Sequence, residues 1–298
     1  MENKIKQILQ KENLQYKNIE KSKSGFTNAV FLVDKKYVVK IIKDKTNPQK
    51  LQKEIEFYKN IKLDCIPKFV ASGQYEGTIY LIVEFVQGQP IYKIWHKIDE
   101  IERENIIKKI CEILKKFHSQ KGDFLPEKYV CKNWLPKWKQ TFDYNIELLK
   151  KRGFDTHNLQ HFANTKLEKI MNNQKTCLVY NDAHFDNFLY DGKDVKIIDF
   201  DRVVYFSKDY ELLIISLMAE QPWKFANEED EQNVDEKHYK NVMSYFKQYY
   251  ANMFDFEHLE QRLFIYQFFY RLGAGYEYNR NEWIAEELQK FDKFFYGE

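Results

Sequence analysis

Several absences narrow this chain before any residue is assigned a task. No apolar run approaches the roughly 18 residues that a membrane-spanning helix needs, so no span and no membrane partner are expected. The segment Met1-Glu2-Asn3-Lys4-Ile5 has no apolar signal core, so export is not expected and the protein reads as cytoplasmic. Four cysteines, Cys65, Cys111, Cys131 and Cys177, form no Cys-x-x-Cys pair. That argues against a zinc site or a disulfide framework and for free thiols in a reducing compartment. Only six prolines punctuate 298 residues, and no Pro-rich linker, internal repeat or low-complexity segment interrupts the chain. No basic run is interleaved with aromatics, so nucleic acid is not an expected partner.

What is present suits a folded enzyme. A hydrophobic content of 44% excludes wholesale disorder, and 298 residues suffice for two lobes and a substantial core. The net charge of +2 is unevenly placed: residues 1–90 carry 16 Lys and Arg against 10 Asp and Glu, and residues 221–298 carry 9 against 15. A basic first lobe and an acidic end suit an anionic donor and a cationic acceptor, the plain alternative being solvated surface.

The densest chemical signal is Tyr180-Asn181-Asp182-Ala183-His184-Phe185-Asp186-Asn187, followed by Ile197-Ile198-Asp199-Phe200-Asp201. Thr176–Tyr180, Phe188–Tyr190 and Val195–Ile198 read as short buried strands, with Asp191-Gly192 as a hairpin turn. Asp182, Asn187 and Asp199 then fall at strand ends that share one cleft. Each alone is an ordinary turn former. Together they are the set that phosphoryl transfer from a nucleotide needs: a carboxylate to orient or deprotonate the attacking hydroxyl, then an amide and a second carboxylate for the bridging metal ions.

These segments resemble the catalytic and metal loops of the aminoglycoside phosphotransferase and choline kinase-like family of small-molecule kinases. That family usually carries His-Gly-Asp, an Asn a few residues on, and Ile-Asp-Phe or Ile-Asp-Trp. Here Tyr180-Asn181-Asp182 stands in place of His-Gly-Asp. The resemblance implies an α+β, two-lobed protein-kinase-like fold, with a small β-rich lobe over residues 1–88 and a larger, mainly helical lobe over 89–298. It implies Asp182 as catalytic base, Asn187 and Asp199 as Mg²⁺ ligands, and ATP or GTP as donor. The acceptor it favours is an aminoglycoside, with choline, another amino alcohol or a sugar next; a nucleotide-binding pseudokinase is the reading from another class.

The remaining expectations follow from the same frame. Ser24 and Gly25 lie in a nucleotide-covering hairpin loop with a single glycine. Lys40, inside Val38-Val39-Lys40-Ile41, needs a partner for its charge and matches the strand lysine that meets the α/β-phosphates and a helix glutamate. Glu54 is the first choice for that glutamate and Glu56 the second. The strand Thr78–Val86 ends at Gln87-Gly88-Gln89-Pro90, and backbone groups of Glu84, Phe85 and Val86 are expected at the nucleotide base. His118, ending an amphipathic helix, is expected to be structural, and Asp209 to cap a helix. Asp201 has two readings, touching a second metal or capping the turn. His184 is read as a packing residue with acceptor contact as its alternative. Glu277, Glu282, Glu286, Glu287 and the run Glu228–Glu231 are candidates for an acidic acceptor pocket. No Ala-Pro-Glu segment follows Asp199, which argues against a protein acceptor.

Overall fold

The computed structural model describes residues 1–22, 28–42, 48–131, 134–172, 175–226 and 230–297. The chain opens with helix α1 (Glu2–Lys11), followed by β1 (Ile19–Lys21), β2 (Asn28–Val33), β3 (Tyr37–Ile42), α2 (Pro48–Asn60), β4 (Phe69–Tyr75) and β5 (Thr78–Glu84). The strands form one antiparallel sheet in the order β1-β2-β3-β5-β4. Alternation along β3 sets its two faces. Val39 and Ile41 pack with Phe31, Val33, Tyr80 and Ile82 against Ile5, Ile8 and Leu9 of α1. Lys40, one step out of phase and paired in register with Leu81, is thereby turned to the opposite face, where α2 lies.

The second part begins with β6 (Gln89–Pro90), α3 (Ile91–Trp95) and α4 (Glu100–His118). Gly88 makes this crossing possible. Its φ of 135° suits glycine, and a Cβ there would lie 3.1 Å from the Leu189 Cβ. The Asp99 carboxylate accepts from the Glu102 N–H at 2.8 Å and caps α4. Ile106, Ile110, Ile113, Leu114 and Phe117 of α4 are buried, the stripe that its helical spacing predicts. Helices α5 (Trp134–Lys151), α6 (His157–Thr165) and α7 (Leu167–Met171) follow. Then come β7 (Thr176–Val179), β8 (Phe188–Tyr190), β9 (Val195–Ile197), β10 (Val204–Ser207), α8 (Leu212–Glu220), α9 (Val242–Tyr249), α10 (Leu259–Glu277) and α11 (Asn281–Tyr296).

Two small sheets carry the loops between these helices. β7 pairs with β10, and β8 lies between β6 and β9. The β8–β9 turn forms at Asp191-Gly192, where the Asp191 carboxylate accepts from the Lys193 and Asp194 N–H groups at 2.8 and 2.7 Å. One apolar core runs from α2 and β5 through α4, β7–β9 and α8 to α9. A second gathers α5–α7, α10 and α11 around Phe142, Phe162, Tyr266, Phe268 and Phe291. The aromatic side chains of α10 and α11 therefore mostly pack into this core, with Trp283 and Phe294 exposed. Cys65, Cys111 and Cys177 are free and buried. Among the described residues no helix is long and apolar enough to cross a membrane.

One expectation is corrected here. Asp209 does not cap a helix. It is fully buried and takes the Arg262 guanidinium on both oxygens, Nε at 2.5 Å and Nη2 at 3.1 Å, with the Tyr266 hydroxyl donating at 3.0 Å. Arg262 has no solvent access, so its charge demanded a carboxylate more strongly than the helix end did.

Candidate active site

The cleft between the first sheet and β7–β9 collects most of the residues expected there. Lys40 donates to Glu54 Oε1 at 2.7 Å and to Asp199 Oδ1 at 3.1 Å. Glu54, rather than Glu56, is its helix partner; Glu56 is turned to Lys59 at 2.9 Å on the exposed face. Burial opposes the charge on Lys40, but Asp199 and Glu54 together outweigh it and hold the ammonium well above its ordinary pKa. Burial pushes the Glu54 carboxyl up to about 7, with Lys40 pulling the other way. The second Glu54 oxygen, Oε2, is buried without a hydrogen-bond partner.

Asp182 follows β7 through Asn181, whose φ is 61°, a left-handed turn that asparagine tolerates. The turn closes with the His184 N–H on the Asp182 carbonyl at 2.8 Å and the Asn187 N–H on the His184 carbonyl at 3.0 Å. Asn187 Nδ2 donates to Asp182 Oδ2 at 2.8 Å and lies 3.0 Å from His184 Nε2. Burial works to raise the Asp182 pKa, yet contacts with His184, Arg202 and Asn187 leave it below the ordinary carboxylate value. Asp182 is therefore ionised at neutral pH, as an orienting base must be.

Asp199 also adopts a left-handed conformation, φ 63°. The peptides flanking it are pinned. The Ile198 N–H donates to the Asn187 carbonyl at 3.0 Å, the Ile198 carbonyl accepts from the Tyr180 hydroxyl at 2.5 Å, and the Phe200 N–H reaches Glu54 Oε1 at 3.3 Å. Tyr180 is fully buried among Phe117, Phe188 and Phe200. The residue in place of the family histidine is thus a buried brace for the Asp199 loop.

The oxygen set fits a hard divalent cation. Asn187 turns its amide nitrogen to Asp182 and His184, which leaves the oxygen as the atom suited to a metal. The Asp199 side chain is 43% exposed toward the cleft. Burial, and then repulsion from Asp199, raises the Asp201 pKa, a like-charge tension that a cation relieves. Among the described residues no three His, Cys, Asp or Glu side chains form a closed metal cage. An all-protein cage is not expected for Mg²⁺, which is held by one or two carboxylates plus substrate phosphates.

Other expected positions divide. Ser24 and Gly25 lie outside the described residues. The Glu84 N–H is engaged by the Lys68 carbonyl at 2.9 Å and the Phe85 N–H by the Lys36 carbonyl at 2.8 Å, so neither amide faces a base. Of the candidate pocket acids, Glu282 pairs with Arg280 at 3.2 Å. Glu287 is buried against Lys290 at 2.6 Å. Asp230 meets Lys93 at 3.6 Å, and Glu228 and Glu229 lie outside the described residues.

Sequence reasoning missed three residues. Glu211, fully buried, accepts from the Tyr180 and Asn181 N–H groups at 2.7 and 3.0 Å and faces His118 Nε2 at 3.0 Å. His118 in turn meets the Tyr250 hydroxyl at 3.0 Å, which gives it the structural role expected. The available signal was an acid beside the apolar run Leu212–Ile215. Arg202, three residues after Asp199, puts Nη1 3.3 Å from Asp182 Oδ1. Lys53 is only 3% exposed and donates to the Val203 carbonyl at 2.9 Å.

A chain folded in this way around such a cleft is a small-molecule kinase of protein-kinase-like architecture. The model of the phosphotransferase enzyme family (APH) matches residues 18–234, and the chain belongs to that family. No curated protein matches it in sequence. Among solved structures it is similar to the streptomycin–ATP ternary complex of the aminoglycoside phosphotransferase APH(2")-IIa, with a TM-score of 0.69, 22% identity, and coverage of 97% of this chain and 96% of that one. ADP-bound APH(2'')-Ib follows at TM-score 0.68, 21% identity and 97% and 96% coverage. A choline/ethanolamine kinase family protein from Mesorhizobium loti reaches 0.55 at 14% identity, over 92% of this chain and 86% of that one. At these identities the likeness speaks to fold.

Proposed function

We propose that the protein transfers the γ-phosphoryl group of ATP or GTP to a hydroxyl of a small acceptor, with the nucleotide held between residues 1–88 and residues 89–298. The observation that carries this reading is the convergence of Lys40 and Glu54 on one side of the cleft with Asp199, Asp182 and Asn187 on the other. Asp182, ionised and fixed by Asn187 and Arg202, orients the acceptor hydroxyl and takes its proton. Lys40 meets the α/β-phosphates, held in place by Glu54. Asn187 and Asp199 hold Mg²⁺, with Asp201 beside them. The metal, when bound, neutralises charge developing on the phosphates. With the Glu84 and Phe85 amides engaged, the Glu84 carbonyl and the Val86 amide are the groups assigned to the base.

The acceptor we favour is an aminoglycoside. The family supports it, as do neighbours described as complexes with streptomycin and with gentamicin. The likeness to a choline/ethanolamine kinase family protein keeps choline or another amino alcohol as the second reading. A pseudokinase is disfavoured because Tyr180 replaces the support expected of the missing histidine and every chemically needed side chain is present. The test is transfer of labelled γ-phosphate from ATP and from GTP, with Mg²⁺, to a panel of aminoglycosides, choline, amino alcohols and sugars. A labelled product names the acceptor class. Nucleotide binding without transfer to any member would remove the aminoglycoside assignment.

A further inference from the structure

The turn after Asp199 is gripped from outside by two consecutive residues of α2. Glu54 Oε1 accepts from the Phe200 N–H at 3.3 Å. Lys53 Nζ donates to the Val203 carbonyl at 2.9 Å. The turn is closed within itself by the Val203 N–H on the Phe200 carbonyl at 3.4 Å. Its two ends are thus fastened to neighbouring positions of one helix. Asp199, which touches Lys40, immediately precedes it, and Arg202, which touches Asp182, lies within it.

Lys53 is costly where it sits. An ammonium 3% exposed needs strong compensation. It finds one carbonyl and the face of Tyr129, whose ring centroid is 4.1 Å from Nζ. Burial pushes its pKa down to about 8, with Asp201 opposing and Lys50 and Arg202 adding to the fall. Both partners belong to the second part of the chain while Lys53 belongs to the first, so this contact joins the two across the cleft. A residue needed only to fill the space would be apolar.

We propose that Lys53 is a positioning residue: by fastening Val203 to α2 it sets the alignment of Asp199 toward the metal-bound nucleotide. The inference rests on the phosphotransfer reading above. Lys53 touches no substrate and acts only through the turn. Losing the contact frees the Val203 end while Glu54 still holds the Phe200 end, so the metal-dependent part of nucleotide binding suffers and the metal-independent part does not.

The test is calorimetric titration of ADP, with and without Mg²⁺, into the full chain and its Lys53→Met and Lys53→Arg variants, with thermal unfolding alongside. The gain in ADP affinity on adding Mg²⁺ should fall about tenfold or more in Lys53→Met, the scale on which outer-layer supports of metal ligands act. Metal-free ADP affinity should stay unchanged, and the unfolding midpoint should move little, since removing a buried charge offsets the stranded Val203 carbonyl. Lys53→Arg, which can still reach the carbonyl, should recover most of the gain. Should Lys53→Met fail to fold, Lys53→Gln carries the same comparison. An unaltered Mg²⁺ gain in the neutral variant, or parallel loss of metal-free affinity and stability, would overturn the proposal. Absence of any Mg²⁺ gain in the unsubstituted chain would overturn the phosphotransfer reading and this inference with it.

Discussion

Two buried ion pairs divide scaffold from site. Arg262 with Asp209 is saturated. The guanidinium donates to both Asp209 oxygens, to the Ser207 and Tyr266 hydroxyls and to the Ile170 carbonyl, and neither partner is exposed. Lys40 with Glu54 and Asp199 is unfinished. Glu54 keeps one oxygen without a partner, Asp199 opens to the cleft, and burial with repulsion from Asp199 lifts the Asp201 pKa. A charge cluster that completes its own hydrogen bonds holds a fold together. One that leaves valences over is prepared for a ligand.

The comparison breaks most severely at the saturated pair. Arg262→Ala leaves Asp209 charged and buried, so it should cost about 3–5 kcal/mol of stability. Chemical denaturation would read this as a lower midpoint. At temperatures where the variant stays folded, Mg²⁺-dependent ADP affinity should be close to that of the parent. Asp199→Asn does the reverse. Asparagine tolerates the φ of 63°, so the fold should hold, while transfer should drop about 10²- to 10³-fold for loss of one fixed electrostatic contact.

Tyr180→Phe lies between the two. It strands the part-buried Ile198 carbonyl, costing about 1 kcal/mol, and loosens Asp199. Thermal unfolding and Mg²⁺ titration should therefore shift together. The smallest effect is a pH dependence. The folded Glu54 carboxyl keeps its proton up to about 7, against an ordinary 4.5. Between those values the native state binds the extra proton, so this group's contribution to stability falls as pH rises from 4.5 to 7. Over the same window Glu54 becomes the carboxylate that Lys40 needs, and nucleotide affinity should rise. Glu54→Gln should flatten both profiles, and a slope that survives the substitution would reassign it to another group.

Legibility in the sequence followed the kind of signal. Lys40 was readable because an ammonium inside an apolar strand demands a partner, and the structure turns it toward Glu54. Asp182, Asn187 and Asp199 were readable because phosphoryl transfer demands fixed side-chain types at strand ends. The kinase-like division into a sheet and a helical part came from the family resemblance, and the sheet and helices of the fold agree with it. Glu211 and Arg262 were not readable, since their partners lie 31 and 53 positions away and nothing local announces them. Asp209 was misread because a capping carboxylate and a buried salt-bridge carboxylate look alike before the fold brings Arg262 to it. The groups proposed to meet the base left no side-chain trace, because the proposal assigns that contact to backbone atoms. The acidic tail suggested a pocket, but Glu282 and Glu287 are already paired with cations, which charge counting could not foresee.

The most direct measurement is γ-phosphate transfer by Asp182→Ala, run beside calorimetric titration of ADP with Mg²⁺. The account predicts that transfer falls by about 10²- to 10⁴-fold, the range for a positioned general base, while nucleotide affinity stays near that of the unsubstituted chain. Transfer that survives in Asp182→Ala with nucleotide still bound would contradict it and move the base to another residue of the cleft.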